Sequence, residues 1–433
     1  MTQQKQAQSY LVPFIIMVVL MSLVGLITNL NGQFQAPMKA AFLLMAGAQT
    51  NTLTTLLTFA FFFGYLAMGV PSAKYIERKG YKQTLIFGLF GLIAAFGLYE
   101  LSAYVFETMD IANFQPTIDA ARAAGEGYKY EGAVVIPTAY YIFLVAAFVA
   151  GSALTFLQAV LNPYIVACSV KGTTGVTRQS IAGTGNSSMA TIAPLLVAHV
   201  IFAGKTGLDI QISSLYIPFL VLIVLVGGLI VALTQIHLPT IASAEKKEGE
   251  VLEKSVWSFS HLALGVVAIF MYVGVEVCVG NNINLYAENK GLSNPALLAT
   301  LYWGLMLVGR LCGSFLSSIS ASKQLAFTSA VAGILVLVAM VLDNPYFLIG
   351  AGLFHSIMWG AIFALAIDKL GKYTAAGSGA LMMGIVGGAI LPLLQGFLAD
   401  SFHGWQWTWA IVVIGEAYLL YYALFGHKVK QLP

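Results

Sequence analysis

Long apolar stretches separated by short polar ones run the length of this 433-residue chain. With a window suited to a bilayer core of roughly 30 Å, about twelve such stretches emerge. They run approximately 11–36, 52–74, 84–104, 136–168, 180–203, 215–237, 257–287, 294–319, 324–342, 345–367, 374–400 and 405–426, with ends drawn to within about 2–4 residues. Most exceed the roughly 20 residues a helix needs to span, so tilted or protruding helices are expected. The pattern predicts an all-α polytopic membrane protein with twelve transmembrane helices.

Composition agrees independently: 59% of the residues are hydrophobic, 9% are charged and the mean hydropathy is +0.84. A soluble chain of this length would precipitate with such a balance. With the N-terminus placed in the cytoplasm, 15 of the 21 Lys and Arg, among them Lys74, Arg78, Lys79, Lys82 and the Lys246–Lys247 pair, fall on the cytoplasmic side. Five (Lys39, Arg122, Lys129, Lys205 and Lys290) fall on the other, and Arg310 lies inside a span. The positive-inside rule therefore places both termini in the cytoplasm. The polar start, residues 1–10, runs into the first apolar stretch without a small-residue cleavage site, which reads as an uncleaved first span. The net charge of +3 reports this loop bias and does not point to nucleic acid. Cys168, Cys278 and Cys312 are far apart in apolar segments, and suggest neither a disulfide framework nor a metal site.

The two halves of the chain echo each other. Gly64, Gly69 and Ala73 on the second segment repeat in spacing as Gly304, Gly309 and Gly313 on the eighth. The run Ile192-Ala-Pro-Leu-Leu196 on the fifth returns as Ile390-Leu-Pro-Leu-Leu394 on the eleventh. The polar insert 106–133 accounts for part of the unequal offsets. Two parallel six-helix repeats, residues 1–240 and 256–433 joined by a charged linker at 241–255, are the plan of many secondary transporters. Each glycine taken singly also fits plain close approach of membrane helices.

Between the second and third segments, Ala73-Lys-Tyr-Ile-Glu77-Arg-Lys-Gly80-Tyr-Lys82 resembles the loop signature of the major facilitator superfamily, with Ala73 where the signature prefers glycine. Glu77 and Lys82 are candidates to bridge helix ends in one conformation and release them in another. More of the chain resembles the fucose permease branch of that superfamily, a group of sugar/cation symporters. The resemblance is carried by Thr28-Asn-Leu-Asn31-Gly32-Gln33, by Leu157-Gln158 through Asn162-Pro163, by Gly183-Thr-Gly-Asn186, by Tyr272-Val-Gly-Val-Glu276 and by Gly309-Arg310. Two departures matter. Gly32 and Gln158 stand where that branch carries its two proton-coupling carboxylates.

A carboxylate inside a bilayer costs roughly 3 kcal/mol or more at mid-depth, so each one kept there is a functional candidate. Glu276 and Glu416 lie well inside spans and Glu100 near the end of one. Glu276 shares a helical face with Tyr272 and Gly280, on a helix that the resemblance implies lines the central cavity. It is the candidate coupling carboxylate, its alternative being a permanent pairing with Arg310 or with Asn281, Asn282 and Asn284. Arg310 reads as a structural ion pair or as a switch that meets Glu276 in one state. Glu416, on the last and peripheral helix, reads as structural or interfacial.

Sugar recognition asks for amides that donate and accept, with aromatic faces against the apolar side of the ring. Gln158 and Asn162 share one face by their spacing, as do His355 and Trp359. Asn31, Gln33, Asn186, Tyr272 and Gln395 complete the candidate set, of which Asn31, Gln158, Asn162 and Asn186 are implied by the resemblance. Trp303 is a further stacking candidate, and Trp405, Trp407 and Trp409 read as an interfacial belt.

An ATP-driven pump is excluded because the Gly204-Lys-Thr206 triplet lacks the leading glycine of a phosphate loop. A membrane enzyme is disfavoured by six scattered histidines and too few intramembrane acids to form a dyad. A channel would use a symmetric oligomer, which internal duplication makes unnecessary. The expectation is a cofactor-free secondary transporter of the bacterial inner membrane. It imports a neutral monosaccharide with a coupling proton or sodium ion, acting as a monomer by rocking of the two halves. The competing readings are an anionic or amino sugar, such as sialic acid or N-acetylhexosamine, and an uncoupled uniporter.

Overall fold

The structure is a computed structural model that describes residues 10–125, 128, 130–168, 170–173, 175–236, 238, 254–313 and 319–429. The chain divides into two compact units, Met1–Ser243 and Ala244–Pro433. The expected linker at 241–255 lies outside the described residues except at Lys254 and Ser255.

Six spans form the first unit: α1 (Leu11–Phe42), α2 (50–79), α3 (81–105), α4 (Thr138–Ala167), α5 (Gly175–Leu195, continued by a π turn Leu196–Ile201) and α6 (Tyr216–Gln235). Six more form the second: α7 (Ser260–Asn289), α8 (Pro295–Gly313), α9 (Ala321–Val341), α10 (Tyr346–His355 with Met358–Ala366), α11 (Ala376–Ser401) and α12 (Gln406–Gly426). By length and composition nine helices among the described residues qualify as spans, or ten with the bent pair of α10. Two physical details account for the rest. Helical hydrogen bonding runs unbroken from Thr50 to Val105, but Gly80 sits at φ 78° and ψ 173°, so one apparent helix is two. That backbone conformation strains any L side chain, which gives the glycine of the loop signature its reason. The other detail is α5, whose Thr177, Gln179, Ser180, Thr184, Asn186 and Ser187 dilute its hydropathy.

Helices pair in the same way in each unit. In the first, α1 packs on α5 and α2 on α4; in the second, α7 packs on α11 and α8 on α10. Small residues sit at each crossing. A Cβ at Gly25 would overlap the Asn186 carbonyl and one at Gly151 the Phe61 carbonyl. The same holds in the second unit for Gly387 against Phe270 and Gly352 against Tyr302. Backbones approach there to distances only glycine permits. Of the repeated glycines seen in the sequence, Gly64 packs on α4 and Gly309 on α10, whereas Gly69 has open space around its α-carbon.

Two expectations change. The polar insert 106–133 is helical over its first half, through a π turn Phe106–Asp110 and a helix Ile111–Ala124. Asp110 Oδ2 accepts the Ala139 amide at 2.9 Å and so caps α4, while Phe114 packs edge-on against Phe106. The tryptophan belt reduces to Trp407, which is exposed, because Trp405 and Trp409 are buried. Residues four apart share the inward face of that turn and the residue between them faces out.

Candidate functional site

The candidate residues of the first unit form a network of amides and hydroxyls. Asn31 is buried on α1 and its Oδ1 accepts from the Tyr99 hydroxyl of α3 at 3.1 Å. Gln158 on α4 donates through Nε2 to the Tyr65 hydroxyl of α2 at 2.9 Å. Asn162, one turn on, accepts a long 3.5 Å bond from Gln179 of α5. Asn186 donates to the Met21 carbonyl at 3.1 Å, at the α1–α5 crossing. Gln33 is buried near the end of the same helix as Asn31. Gln158, Asn162 and Asn186 keep part of their surface exposed, so each retains hydrogen-bonding capacity beyond the bond described. Lys82 lies apart from this group: its ammonium donates to the Thr234 and Ile236 carbonyls at 3.1 and 2.8 Å, closing the C-terminal end of α6. Glu77 is exposed.

In the second unit the candidates carry charge. Glu276 on α7 and Arg310 on α8 approach to 3.9 Å, an ion-pair distance longer than a direct hydrogen bond. The carboxylate side is 16% exposed and the guanidinium side 35%. Tyr272, one turn before Glu276, is buried and donates to the His355 carbonyl at 3.1 Å. Its ring lies 6.3 Å from that of Trp359, which is half-buried. Trp303 of α8 lies against Gly280, where a Cβ would overlap its ring.

His355 occupies a different environment from the one its spacing with Trp359 suggested. It is fully buried, with Nδ1 2.7 Å from the Tyr302 hydroxyl and Nε2 2.7 Å from Glu416 Oε1. With both ring nitrogens engaged, its imidazole has nothing left to offer a ligand in this conformation. Glu416 is therefore neither peripheral nor interfacial. It points into the bundle, with Gly333 of α9 against its stem, and Gly415 beside it packs on Val275 of α7. Gln395 is likewise fully buried, accepting from Asn282 Nδ2 at 2.8 Å and donating to Thr408 at 3.2 Å.

Sequence reading missed the tyrosines. Tyr65, Tyr99 and Tyr302 each supply the hydroxyl that orients a candidate group. Only their position inside apolar spans could have marked them, and 20 tyrosines in the chain dilute that signal.

No protein-family model matches the chain. Whole-length relatives do. The glucose/galactose transporter of Brucella abortus is 31% identical over 419 residues, covering 93% of this chain and 91% of that one. A putative glucose/galactose transporter of Helicobacter pylori is 30% identical, covering 94% and 95%. The L-fucose-proton symporter of Escherichia coli is 27% identical, covering 92% and 89%. The crystal structure of the E. coli fucose:proton symporter matches with a TM-score of 0.64 at 23% identity, over 98% of this chain and 100% of that one. The paired packing of six helices in each unit, the loop signature at Gly80 and identity sustained along the chain converge on one conclusion. The protein belongs to the family of the glucose/galactose transporters, and its fold is that of a fucose symporter of the major facilitator superfamily.

Proposed function

We propose that the protein is a cation-coupled symporter that imports a neutral monosaccharide, a hexose or a related sugar, by alternating access. The observation that carries this reading is the whole-length kinship with proteins named glucose/galactose transporter and L-fucose-proton symporter. The amide-rich face of α4 supports it. Gln158 and Asn162 present donors and acceptors in the pattern sugar hydroxyls require. Asn31, Gln33 and Asn186 extend that set in the first unit. Within the second unit Tyr272 and Trp359 offer aromatic surface, whereas Gln395 and His355, both fully buried, bond to neighbouring helices of the bundle instead of offering groups to a sugar.

The coupling ion is a proton, carried by Glu276. Its geometry supports the assignment: Arg310 stands 3.9 Å away, beyond direct hydrogen-bond distance, so a small movement makes or breaks the pair. Lys82 at the α6 carbonyls and Glu77 on the same loop serve the conformational change. The protein works as a monomer in the bacterial inner membrane with both termini in the cytoplasm. Sodium is the alternative ion, since amide and hydroxyl oxygens also coordinate it.

The test is uptake of labelled monosaccharides into proteoliposomes under imposed proton or sodium gradients, with wild type beside Glu276→Gln. A proton gradient is expected to drive accumulation of a neutral hexose, and the variant to keep exchange while its accumulation falls about tenfold or more. Accumulation driven by sodium alone reassigns the ion. Uptake indifferent to both gradients leaves a uniporter, and preference for a charged sugar overturns the substrate class.

A further inference from the structure

His355 and Glu416 form an acid–base pair whose side chains are 0% and 1% exposed. Sugar recognition makes no use of it, and neither does the Glu276–Arg310 contact. Its setting is unusual in three respects. Glu416 Oε2 is buried with no hydrogen-bond partner among the described residues. His355 ends the first segment of α10, where the helix breaks and turns by 41° before Met358. Tyr302, bonded to Nδ1, also lies 3.4 Å from the Glu276 main-chain carbonyl, and Tyr272 donates to the carbonyl of His355 itself. Among the described residues, the titratable groups around the pair are Tyr302 from α8, bonded to His355, and Tyr272 and Glu276 from α7, with Arg310 of α8 beyond them at 3.9 Å from Glu276, while α9 presents Gly333.

Proton accounting limits what this arrangement can be. With a carboxylate and a neutral imidazole the pair carries one negative charge in a buried site, which is costly. Nε2–H then donates to Glu416, and the Tyr302 hydroxyl must donate to Nδ1. Adding one proton makes the pair neutral overall. Nδ1–H now donates to the Tyr302 oxygen, and the Tyr302 hydroxyl is released to donate to the Glu276 carbonyl. The proton comes from water and returns to it, with no bond to carbon made or broken.

We propose that His355 and Glu416 together bind one transferable proton, and that Tyr302 reports its presence to α7 by turning its hydroxyl between His355 Nδ1 and the Glu276 main chain. Because the pair sits at the break in α10, loss of that proton keeps α8 tied to α10 through Tyr302 and His355 but releases the Tyr302 bond that ties α8 to α7. The pH dependence of transport is set at this pair as well as at Glu276. The inference rests on the proton-coupled reading for its role in transport, but the proton site itself does not.

Two measurements separate these. In the first, purified transporter without sugar or gradient is acidified in weak buffer with a pH indicator. Glu416→Gln and His355→Gln are each expected to take up one proton fewer than wild type, and Tyr302→Phe the same number. In the second, sugar exchange between equilibrated compartments is followed against pH. Glu416→Gln, a neutral and nearly isosteric change, is expected to keep the maximal exchange rate and flatten the profile. Tyr302→Phe is expected to flatten it too while leaving proton uptake intact. Equal proton uptake by wild type and Glu416→Gln overturns the site. Missing protons with a wild-type exchange profile overturn its role in transport. If wild type shows no gradient-driven accumulation while Glu416→Gln lacks a proton and a pH-dependent exchange profile, the coupling reading fails and this site stands. Should Glu416→Gln fold poorly, His355→Gln carries the proton-uptake test and Tyr302→Phe the exchange test.

Discussion

The two halves share a frame and differ in what they place on it. Inside the first unit the candidate groups are amides held by tyrosine hydroxyls and main-chain carbonyls: Asn31 with Tyr99, Gln158 with Tyr65, Asn186 with Met21. Inside the second, matching helices carry Glu276 with Arg310 and His355 with Glu416. Neutral hydrogen bonds exchange readily with sugar hydroxyls and change little with pH, whereas buried charges respond to protons and bind sugar poorly without reorganising. On the proposed function this contrast is a division of labour along the chain, with recognition resting more on the first half and ion coupling on the second. Gly32 and Gln158, where the family resemblance would place acids, are the sequence trace of that division.

The shared frame is the most sensitive part of the comparison. Gly151→Val and Gly387→Val each drive a side chain into a carbonyl of the facing helix, Phe61 and Phe270 respectively. Both are expected to destabilise by about 3 kcal/mol, the upper range for overpacking, read as lost monodisperse protein and lowered Tm in detergent. A well-folded Gly151→Val beside a collapsed Gly387→Val would show that the two halves are not packed alike.

A smaller effect sharpens the division itself. Gln158→Ala removes the partner of Tyr65 and a candidate sugar contact. Apparent KM is expected to rise about tenfold, the effect of losing about 1.4 kcal/mol, with the shape of the pH profile unchanged. A changed pH profile would place ion coupling in the first half after all. Conversely, the Glu416 and Glu276 variants are expected to change pH behaviour more than affinity.

The smallest effect lies at the loop ends of the second unit. Asp343, between α9 and α10, accepts from Lys290 and from the Tyr286 hydroxyl. Partial burial works to raise its pKa, but the hydrogen bonds from Lys290 and Tyr286 and the charge of Lys290 outweigh it and hold the carboxyl below the usual range. A depressed carboxylate contributes stability above its unfolded value, and that contribution is lost as pH falls through the folded one. Lys290 and Asp343 are both about a third exposed, so Asp343→Asn is expected to cost about 0.5–1 kcal/mol at neutral pH and nearly nothing in strong acid. Thermal melts at the two pH values check this, and an equal loss at both would assign Asp343 a packing role only.

Apolar periodicity sufficed for the spans because a bilayer demands long hydrophobic helices whatever surrounds them. The fourth segment, expected at 136–168, is the helix Thr138–Ala167. Glycine spacing carried part of the repeat for the same kind of reason: Gly64 and Gly309 pack closely on α4 and α10, while Gly69 has open space, and the tight crossings at Gly25, Gly151, Gly352 and Gly387 emerged only from the structure. The intramembrane groups Glu276, Arg310 and Glu416 were also visible, because their cost makes each one conspicuous. Their partners were not. His355 and Trp359 share a helical face by spacing, yet the break after His355 turns the imidazole toward Glu416, 61 residues away. Trp405 and Trp409 looked interfacial and are buried, because an apolar aromatic serves either setting equally well. The chain alone determined which segments cross the membrane, that they repeat and which polar groups they carry inside. Only tertiary structure decided which of those groups meet, because a side chain contributes its charge and hydrogen bonds wherever it lies, while the partner that satisfies them is brought by packing between distant helices.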